Sequence, residues 1–309
     1  MRGERWSERE IPDLTGRTMI VTGANSGLGY ETSRTLAAHG AHVILACRDV
    51  ARARDAIGRI RSSVAGASLE AIELDLAQLD SIRAFAKRTR DGCERLDALC
   101  NNAGVMAIPC RRTVDAFEMQ LGTNHLGHFA LTGLLLDRLL QTPGSRVVTL
   151  SSTLHSVGRI RFDDLQSERR YGRWQAYAQS KLANLLFAYE LQRRLEARGA
   201  ETISVACHPG YAATNLQLVG PRMEESRLMV GLSRLGNILV AQGADRGALP
   251  SLYALTASDV RGGDYIGPGG IGELRGPPRK VGSSRRSRDP AAAAHLWEVS
   301  EQLTGVRYP

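Results

Sequence analysis

The feature that most constrains this chain is an alternation. Six short apolar runs, TMIVTG (18–23), HVILAC (42–47), LEAIELD (69–75), LDALCNNAG (96–104), SRVVTLSS (145–152) and ETISVACHPG (201–210), recur along it. Between them lie stretches with helical spacing, such as GLGYETSRTLAAHG and VARARDAIGRIRSS. Near-continuous apolar strands that alternate with helices predict a parallel sheet covered on both faces. Right-handed crossovers make that sheet doubly wound, an α/β fold. No internal repeat and no linker interrupts the 309 residues, so one domain is expected. It divides into a cofactor and catalytic core (14–210), a substrate lid (211–245) and a carboxyl-terminal extension (246–309). A chain of this length that is 43% hydrophobic can bury a large core.

In doubly wound sheets ligands sit beyond the carboxyl ends of the strands, so the residues at those ends carry the functional reading. The first run ends in TGANSGLG, with Gly23, Asn25, Ser26, Gly27, Leu28 and Gly29 forming a turn into a helix. Such glycines permit close backbone approach, and a helix start offers free N–H groups to a pyrophosphate. This predicts dinucleotide binding. At the end of the second run stands neutral Cys47, followed by Arg48. An acidic residue there would bind a ribose 2′-hydroxyl, whereas a guanidinium grips a 2′-phosphate. One such charged bond, about 1.5–3 kcal/mol, gives roughly a 10- to 150-fold preference for NADP over NAD. Asp49 would hold the ribose 2′-hydroxyl if its side chain turned inward, but it is expected to begin the next helix as its N-cap. Asp75, with Leu76 beside it, is expected to cap its own helix or to contact the adenine.

The stretch YAQSK places Tyr177 four residues before Lys181, on one face of a helix that runs to Gly199. A free phenol and a free ammonium, with pKa values of about 10 and 10.4, are poor acid–base catalysts at neutrality. An ammonium within ~4–6 Å lowers a phenol by about 1–3 units, toward a useful range. The sequence therefore predicts that Lys181 depresses Tyr177.

Taken together, T-G-x-x-x-G-x-G, Asn102-Ala103-Gly104 in the NNAG segment, Asn124 in TNHLGHF, Ser152 in VVTLSS, YAQSK and HPGYAAT resemble the short-chain dehydrogenase/reductase family. The resemblance covers roughly residues 16 to 215. It is closest to the branch of retinol dehydrogenases and protochlorophyllide reductases, through NSGLG, ACRD, NHLGHFALT and RRYGRWQAYAQSKLANLLF. It implies a Rossmann fold, an NADP(H) cofactor and a catalytic set of Asn124, Ser152, Tyr177 and Lys181. Ser152 is implied in preference to Ser151. In reduction Tyr177 would donate a proton to the carbonyl oxygen and Ser152 would hydrogen-bond it, while Lys181 holds the ribose and Asn124 retains a water. Pro209, Gly210 and Thr214 would lie over the nicotinamide. The 25 positions between Ser152 and Tyr177 exceed the spacing of many members, and the extra segment reads as an excursion beside the substrate mouth. Helices containing 113–140 and 177–198 form dimer or tetramer interfaces in many members, so a homodimer or homotetramer is one expectation and a monomer another.

Composition narrows the remaining classes. Five scattered cysteines without ligand spacing fit a reducing, cytoplasmic setting and no metal. The amino terminus lacks a secretory pattern, and no run reaches membrane-spanning length, so a soluble protein without an anchor is expected. The net charge of +8 owes much to RGPPRKVGSSRRSRDP, which reads as a solvated, partly mobile loop with no interleaved aromatics for nucleic acid. His125 and His128 read as packing or capping residues, and His155 as a residue that could meet substrate. No G-x-S-x-G turn surrounds Ser152 to suggest a hydrolase. The Leu-, Val- and Met-rich region after Thr214, with Met223, Leu228 and Met229, favours a bulky hydrophobic ketone, aldehyde or secondary alcohol. The alternative is an NADP(H)-sensing protein that has lost catalysis, which would not need all four catalytic residues.

Overall fold

The computed structural model describes residues 6–210 and 243–309. Each of the six apolar runs forms a strand: β1 (Thr18–Thr22), β2 (His42–Cys47), β3 (Leu69–Glu73), β4 (Ala98–Asn101), β5 (Arg146–Leu150) and β6 (Ile203–Cys207). Two further strands, β7 (Tyr265–Pro268) and β8 (Pro278–Lys280), come from the carboxyl-terminal extension. The sheet runs β3-β2-β1-β4-β5-β6-β7-β8. Pairing is parallel from β3 through β7, and only β7 with β8 is antiparallel. The last pair departs from the all-parallel expectation because a short loop joins the two strands, and only an antiparallel pair can close over one. Both strands are short and carry Gly or Pro, so no apolar run marks them in the sequence.

Among the described residues, seven helices of more than ten residues clothe the sheet: α1 (Gly27–Ala38), α2 (Val50–Ser63), α3 (Leu79–Gly92), α4 (Gly127–Leu140), α5 (Arg173–Ala197), α6 (Ala244–Thr256) and α7 (Pro290–Thr304). Strand side chains alternate between the two faces. Ile20, Ile44, Leu99 and Val147 pack beneath α3, α4 and α5, while Met19, Val21, Leu45 and Val148 pack beneath α1, α2 and α6. Both faces are dry, which is why the strands read as continuous apolar runs. Strand order reverses between β1 and β4, so their carboxyl ends frame the crevice.

The carboxyl-terminal extension packs back on the core in two places. Helix α7 crosses α4 and α5, with Trp297 stacked on Phe187 (5.8 Å) and edge-on to Phe129 (5.1 Å). The Tyr308 hydroxyl donates to the Phe129 carbonyl at 2.7 Å. The basic segment is also anchored. Its side chains at 285, 286 and 288 are exposed, but Ser287 is buried and the backbone closes a 3₁₀ turn at Arg285–Arg288. Among the described residues no helix is long and apolar enough to cross a membrane.

Candidate active site

At the end of β1, Gly23 turns the chain with φ +67 and donates its N–H to the Ala46 carbonyl at 2.8 Å. Helix α1 then starts close against β4. A Cβ on Gly29 would lie 2.5 Å from the Gly23 carbonyl and 2.6 Å from the Asn102 amide nitrogen, so glycine is required there. Ser26 is the N-cap of α1 and makes no capping bond through its side chain. The Asn25 carbonyl accepts from Arg59 at 3.2 Å, beside Leu28 packed on the core. The opposite wall is tied by Thr22. Its hydroxyl accepts the N–H groups of Asn102 and Ala103, both at 2.9 Å, and Asn102 Nδ2 donates to the Thr22 carbonyl at 2.7 Å.

At the end of β2, Cys47 is buried and takes backbone N–H bonds from Ala24 and Asn25, and burial pushes its thiol up to about 11. It is a neutral floor for the turn. Arg48 follows it, exposed. Asp49 caps α2 by accepting from the Arg52 N–H at 3.0 Å, so its carboxylate faces the helix and not the crevice. Asp75 does not cap α3. Its carboxylate closes a local turn on the Ala77 N–H (2.9 Å), and the first N–H of α3, at Leu79, is taken by Asp115 from far along the chain (2.9 Å). A turn residue two positions before a partner N–H is the competing use of aspartate that sequence spacing did not separate. Leu76 beside it is buried.

The residues expected to be catalytic converge where β4 and β5 end. Asn124 lies in a wide π-helical turn, Gly122–Leu126, that leads into α4; such turns recur at functional sites. Its carboxamide accepts from the Val105 N–H (2.8 Å) and donates to the Val105 carbonyl and the Ser180 hydroxyl, both at 2.9 Å. Those bonds use both carboxamide hydrogens, and the Asn124 backbone carbonyl accepts from His128 Nδ1 at 3.0 Å. A Cβ on Gly104 would come 2.9 Å from Asn124 Oδ1 and 3.7 Å from Lys181 Nζ, which keeps this wall thin.

The paired serines separate. Ser151 is buried with its hydroxyl on the Lys181 carbonyl (2.8 Å), whereas the Ser152 hydroxyl interacts with the Tyr177 phenol. Tyr177 sits on the second turn of α5, and burial pushes it up to about 12, opposed by the nearby Ser152 hydroxyl. This reverses the sequence expectation. Lys181 Nζ donates to the Leu150 carbonyl at 3.1 Å and lies 5.7 Å from the Tyr177 ring centre, so no ammonium contacts the phenol oxygen to offset its burial. Burial in turn lowers Lys181 to about 8. The site therefore holds its proton on Tyr177 at neutral pH.

Other residues find their places around this cluster. His125 bonds Ser300 (3.0 Å) and packs on Phe129 and Phe187, and His128 bridges the Asn124 carbonyl and Thr22 (2.9 Å). Both act as packing and bridging residues. His155 is buried with both ring nitrogens engaged, so it is not free to meet substrate. Pro209 and Gly210 follow β6, and the Gly210 N–H donates to His208 Nδ1 at 3.2 Å. Thr214, Met223, Leu228, Met229 and most of the expected lid lie outside the described residues.

Sequence reading missed several supports of this rim. Gln120 is fully buried; its oxygen accepts the Ala107 N–H (2.7 Å) and its nitrogen donates to the Tyr171 hydroxyl (2.8 Å) and the Arg173 carbonyl (2.9 Å). His208 Nε2 meets Glu273 at 3.0 Å. The distance along the chain between these partners left no local signal. Among the described residues no group of His, Cys, Asp and Glu could hold a metal ion.

A doubly wound sheet with a glycine turn at its first strand and a Ser–Tyr–Lys cluster at its fifth defines a class, and the sequence profile of the short chain dehydrogenase family matches residues 17–223. The chain belongs to that family and is an oxidoreductase of its retinol dehydrogenase branch. It is similar to human retinol dehydrogenase 12, with 41% identity over 96% of this chain and 88% of that protein. Mouse retinol dehydrogenase 14 is 41% identical over 95% of this chain and 87% of its own length. Among solved structures, an uncharacterized protein from Mycobacterium paratuberculosis is 45% identical, covers 99% of this chain and 100% of its own, and superposes with a TM-score of 0.81.

Proposed function

We propose that the chain is an NADP(H)-dependent carbonyl reductase or alcohol dehydrogenase acting on a bulky hydrophobic aldehyde, ketone or secondary alcohol. The observation that carries this reading is the convergence, where β5 ends, of Ser152 with the buried Tyr177 and with Lys181 one turn further along α5. The residues at the strand ends fit a dinucleotide. The missing Cβ of Gly29 and the N-cap of α1, which has no side-chain bond of its own, leave backbone N–H groups for a pyrophosphate. Arg48 follows a neutral Cys47 and suits a 2′-phosphate. A short chain dehydrogenase from Shigella flexneri 2a, 23% identical with a TM-score of 0.64, was solved in complex with NADP, which is consistent with this preference.

Bound nicotinamide supplies or receives the hydride. Tyr177, protonated at neutral pH, delivers its proton to the carbonyl oxygen, and Ser152 donates to the same oxygen as charge develops there. Lys181, lowered to about 8, still carries its charge at pH 7 and would hold the ribose hydroxyls of the bound dinucleotide. Asn124 pins the loop beyond β4 so that the wall stays in place. The retinol dehydrogenase relatives suggest retinal and retinol as the first pair to assay. All five cysteines are free, which supports a reducing, cytoplasmic setting.

The test is NADPH consumption across a panel of hydrophobic aldehydes and ketones, retinal first, with NADH and Tyr177→Phe alongside. Turnover should favour NADPH, and Tyr177→Phe should lower kcat by about 10²–10⁴-fold while dinucleotide Kd stays within about twofold. A Tyr177→Phe protein that keeps most of its activity would sink the mechanism.

A further inference from the structure

The serine turn at the end of β5 is joined to a segment that lies 129 positions away in sequence. Ser152 is the N-cap of the 3₁₀ turn Thr153–Val157, and its hydroxyl accepts the Leu154 N–H only at 3.3 Å, a long bond that does little to aim it. The Ser152 carbonyl is held more firmly, by the His155 N–H at 3.0 Å and by His155 Nδ1 at 2.7 Å. A carbonyl only accepts, so Nδ1 carries the ring proton. The other nitrogen, Nε2, faces the Ser284 N–H at 3.1 Å and must be the bare acceptor. These two partners fix one neutral tautomer, and burial, which lowers the His155 pKa, favours the same state. With both nitrogens occupied, the ring is no proton shuttle.

The far end of this link is itself anchored. Ser283 Oγ accepts from the Tyr189 hydroxyl (2.9 Å) and from Arg288 (3.1 Å), and Arg286 reaches the Gly158 carbonyl at 3.4 Å. Gly158 closes the serine turn against α5: a Cβ there would lie 2.5 Å from the carbonyl of Ala178, the neighbour of Tyr177. The turn is thus held between the backbone of the Tyr177 helix and the Ser283–Arg288 segment, and His155 spans the gap.

We propose that His155 is a positioning residue that fastens the Ser152 turn to the carboxyl-terminal segment Ser283–Arg288, so that this segment sets the aim of the Ser152 hydroxyl. The inference rests on the reading of Ser152 as the residue that faces the reacting oxygen.

Ser284→Pro tests the outer bond alone. Residue 284 has φ −63, the value proline imposes, and its hydroxyl has no hydrogen-bond partner among the described residues, so the change removes chiefly the N–H donor. His155→Asn keeps a donor near the Nδ1 position but cannot reach Ser284, and His155→Gln restores an acceptor that can. Amide hydrogen exchange over residues 152–158 is read first, then kcat, KM and NADPH Kd with retinal or the best carbonyl of the panel. Ser284→Pro and His155→Asn should each speed exchange of the turn and lower kcat about tenfold, with KM and Kd within about twofold. His155→Gln should recover most of kcat. Folded Ser284→Pro with unchanged exchange or unchanged kcat overturns the proposal. If Ser284→Pro does not fold, His155→Asn reads the same bond, and normal kcat there overturns it equally. Losses that appear alike in kcat, Kd and thermal midpoint would mean a general structural role and reject positioning. Ser152→Ala is run in parallel. If it keeps full activity, the reading of the site falls and takes this inference with it; if it loses activity while the tether variants keep theirs, the tether alone falls.

Discussion

The two rims of the crevice are built differently. At the ends of β1 and β2 the structure is made of backbone and small residues: the Gly23 turn, the Gly29 approach and a Thr22 hydroxyl that takes two N–H groups. Beyond β4, β5 and β6 it is made of long side chains that reach across the fold: Gln120 to Tyr171 and Arg173, His155 to Ser284, and His208 to Glu273. A phosphate-binding edge serves one fixed chemical group and needs only N–H groups at close range. A rim that must fit a particular carbonyl compound can be reshaped one tether at a time. The contrast teaches that the first rim should fail by steric intrusion and the second by loss of single polar side chains.

The largest effect is expected on the second rim. Gln120→Ala removes all three hydrogen bonds of a fully buried side chain and takes the acceptor away from the buried Ala107 N–H. A buried polar group left unpaired costs about 1–3 kcal/mol, and a loss of that size is expected here. Denaturant midpoints measure it, and kcat should fall as the loop beyond β4 loosens from the start of α5. A loss below about 0.5 kcal/mol would show that side-chain tethers do not carry this rim.

On the first rim the matching variant adds a methyl group. Gly29→Ala puts a Cβ 2.5 Å from the Gly23 carbonyl and 2.6 Å from Asn102, so backbone must move. Overpacking of this kind costs about 1–3 kcal/mol. Part of it should appear as a dinucleotide Kd at least about tenfold weaker, with little change in kcat once cofactor saturates. Titration of NADPH fluorescence reads this directly, and an unchanged Kd would mean that the turn does not approach the ligand.

The same contrast explains what the sequence disclosed. The first rim was legible because its parts are neighbours in the chain: the glycines of TGANSGLG, the Cys47–Arg48 pair and the Asp49 cap all stand within a few residues of a strand end. Strands β1 to β6 were legible for a similar reason, since burial on both faces writes a continuous apolar run. Tyr177 and Lys181 were found together because one helix turn separates them, but their charge states were not. A four-residue spacing predicts that the ammonium lies near the phenol, and only the fold shows Nζ turned to the Leu150 carbonyl and the phenol dominated by burial. The tethers of the second rim join residues as far apart as 65 and 129 positions, and nothing local in Glu273 or Ser284 marks a partner. The RGPPRKVGSSRRSRDP stretch reads as a loop from its composition, but the ties that reach it, from the Tyr189 hydroxyl to Ser283 Oγ and from the Ser284 N–H to His155, come from residues distant in the chain.

The smallest effects lie beside each other at residues 48 and 49 and separate ligand from scaffold within the first rim. Arg48 follows the buried Cys47 and is exposed at the mouth of the turn, whereas the Asp49 carboxylate is spent on the Arg52 N–H. Arg48→Ala should reduce the preference for NADPH over NADH by roughly 10- to 150-fold, the worth of one charged hydrogen bond, and leave the thermal midpoint almost unchanged. Asp49→Ala should do the opposite. Loss of an N-cap costs about 1 kcal/mol of stability, yet the cofactor ratio should hold, because no carboxylate is turned toward the ribose. Relative kcat/KM values for the two cofactors, measured beside denaturant midpoints, decide both at once. A shift in cofactor ratio on Asp49→Ala would mean that its side chain leaves the helix to take the ribose hydroxyl, and the backbone-built rim would then owe its selectivity to a side chain after all.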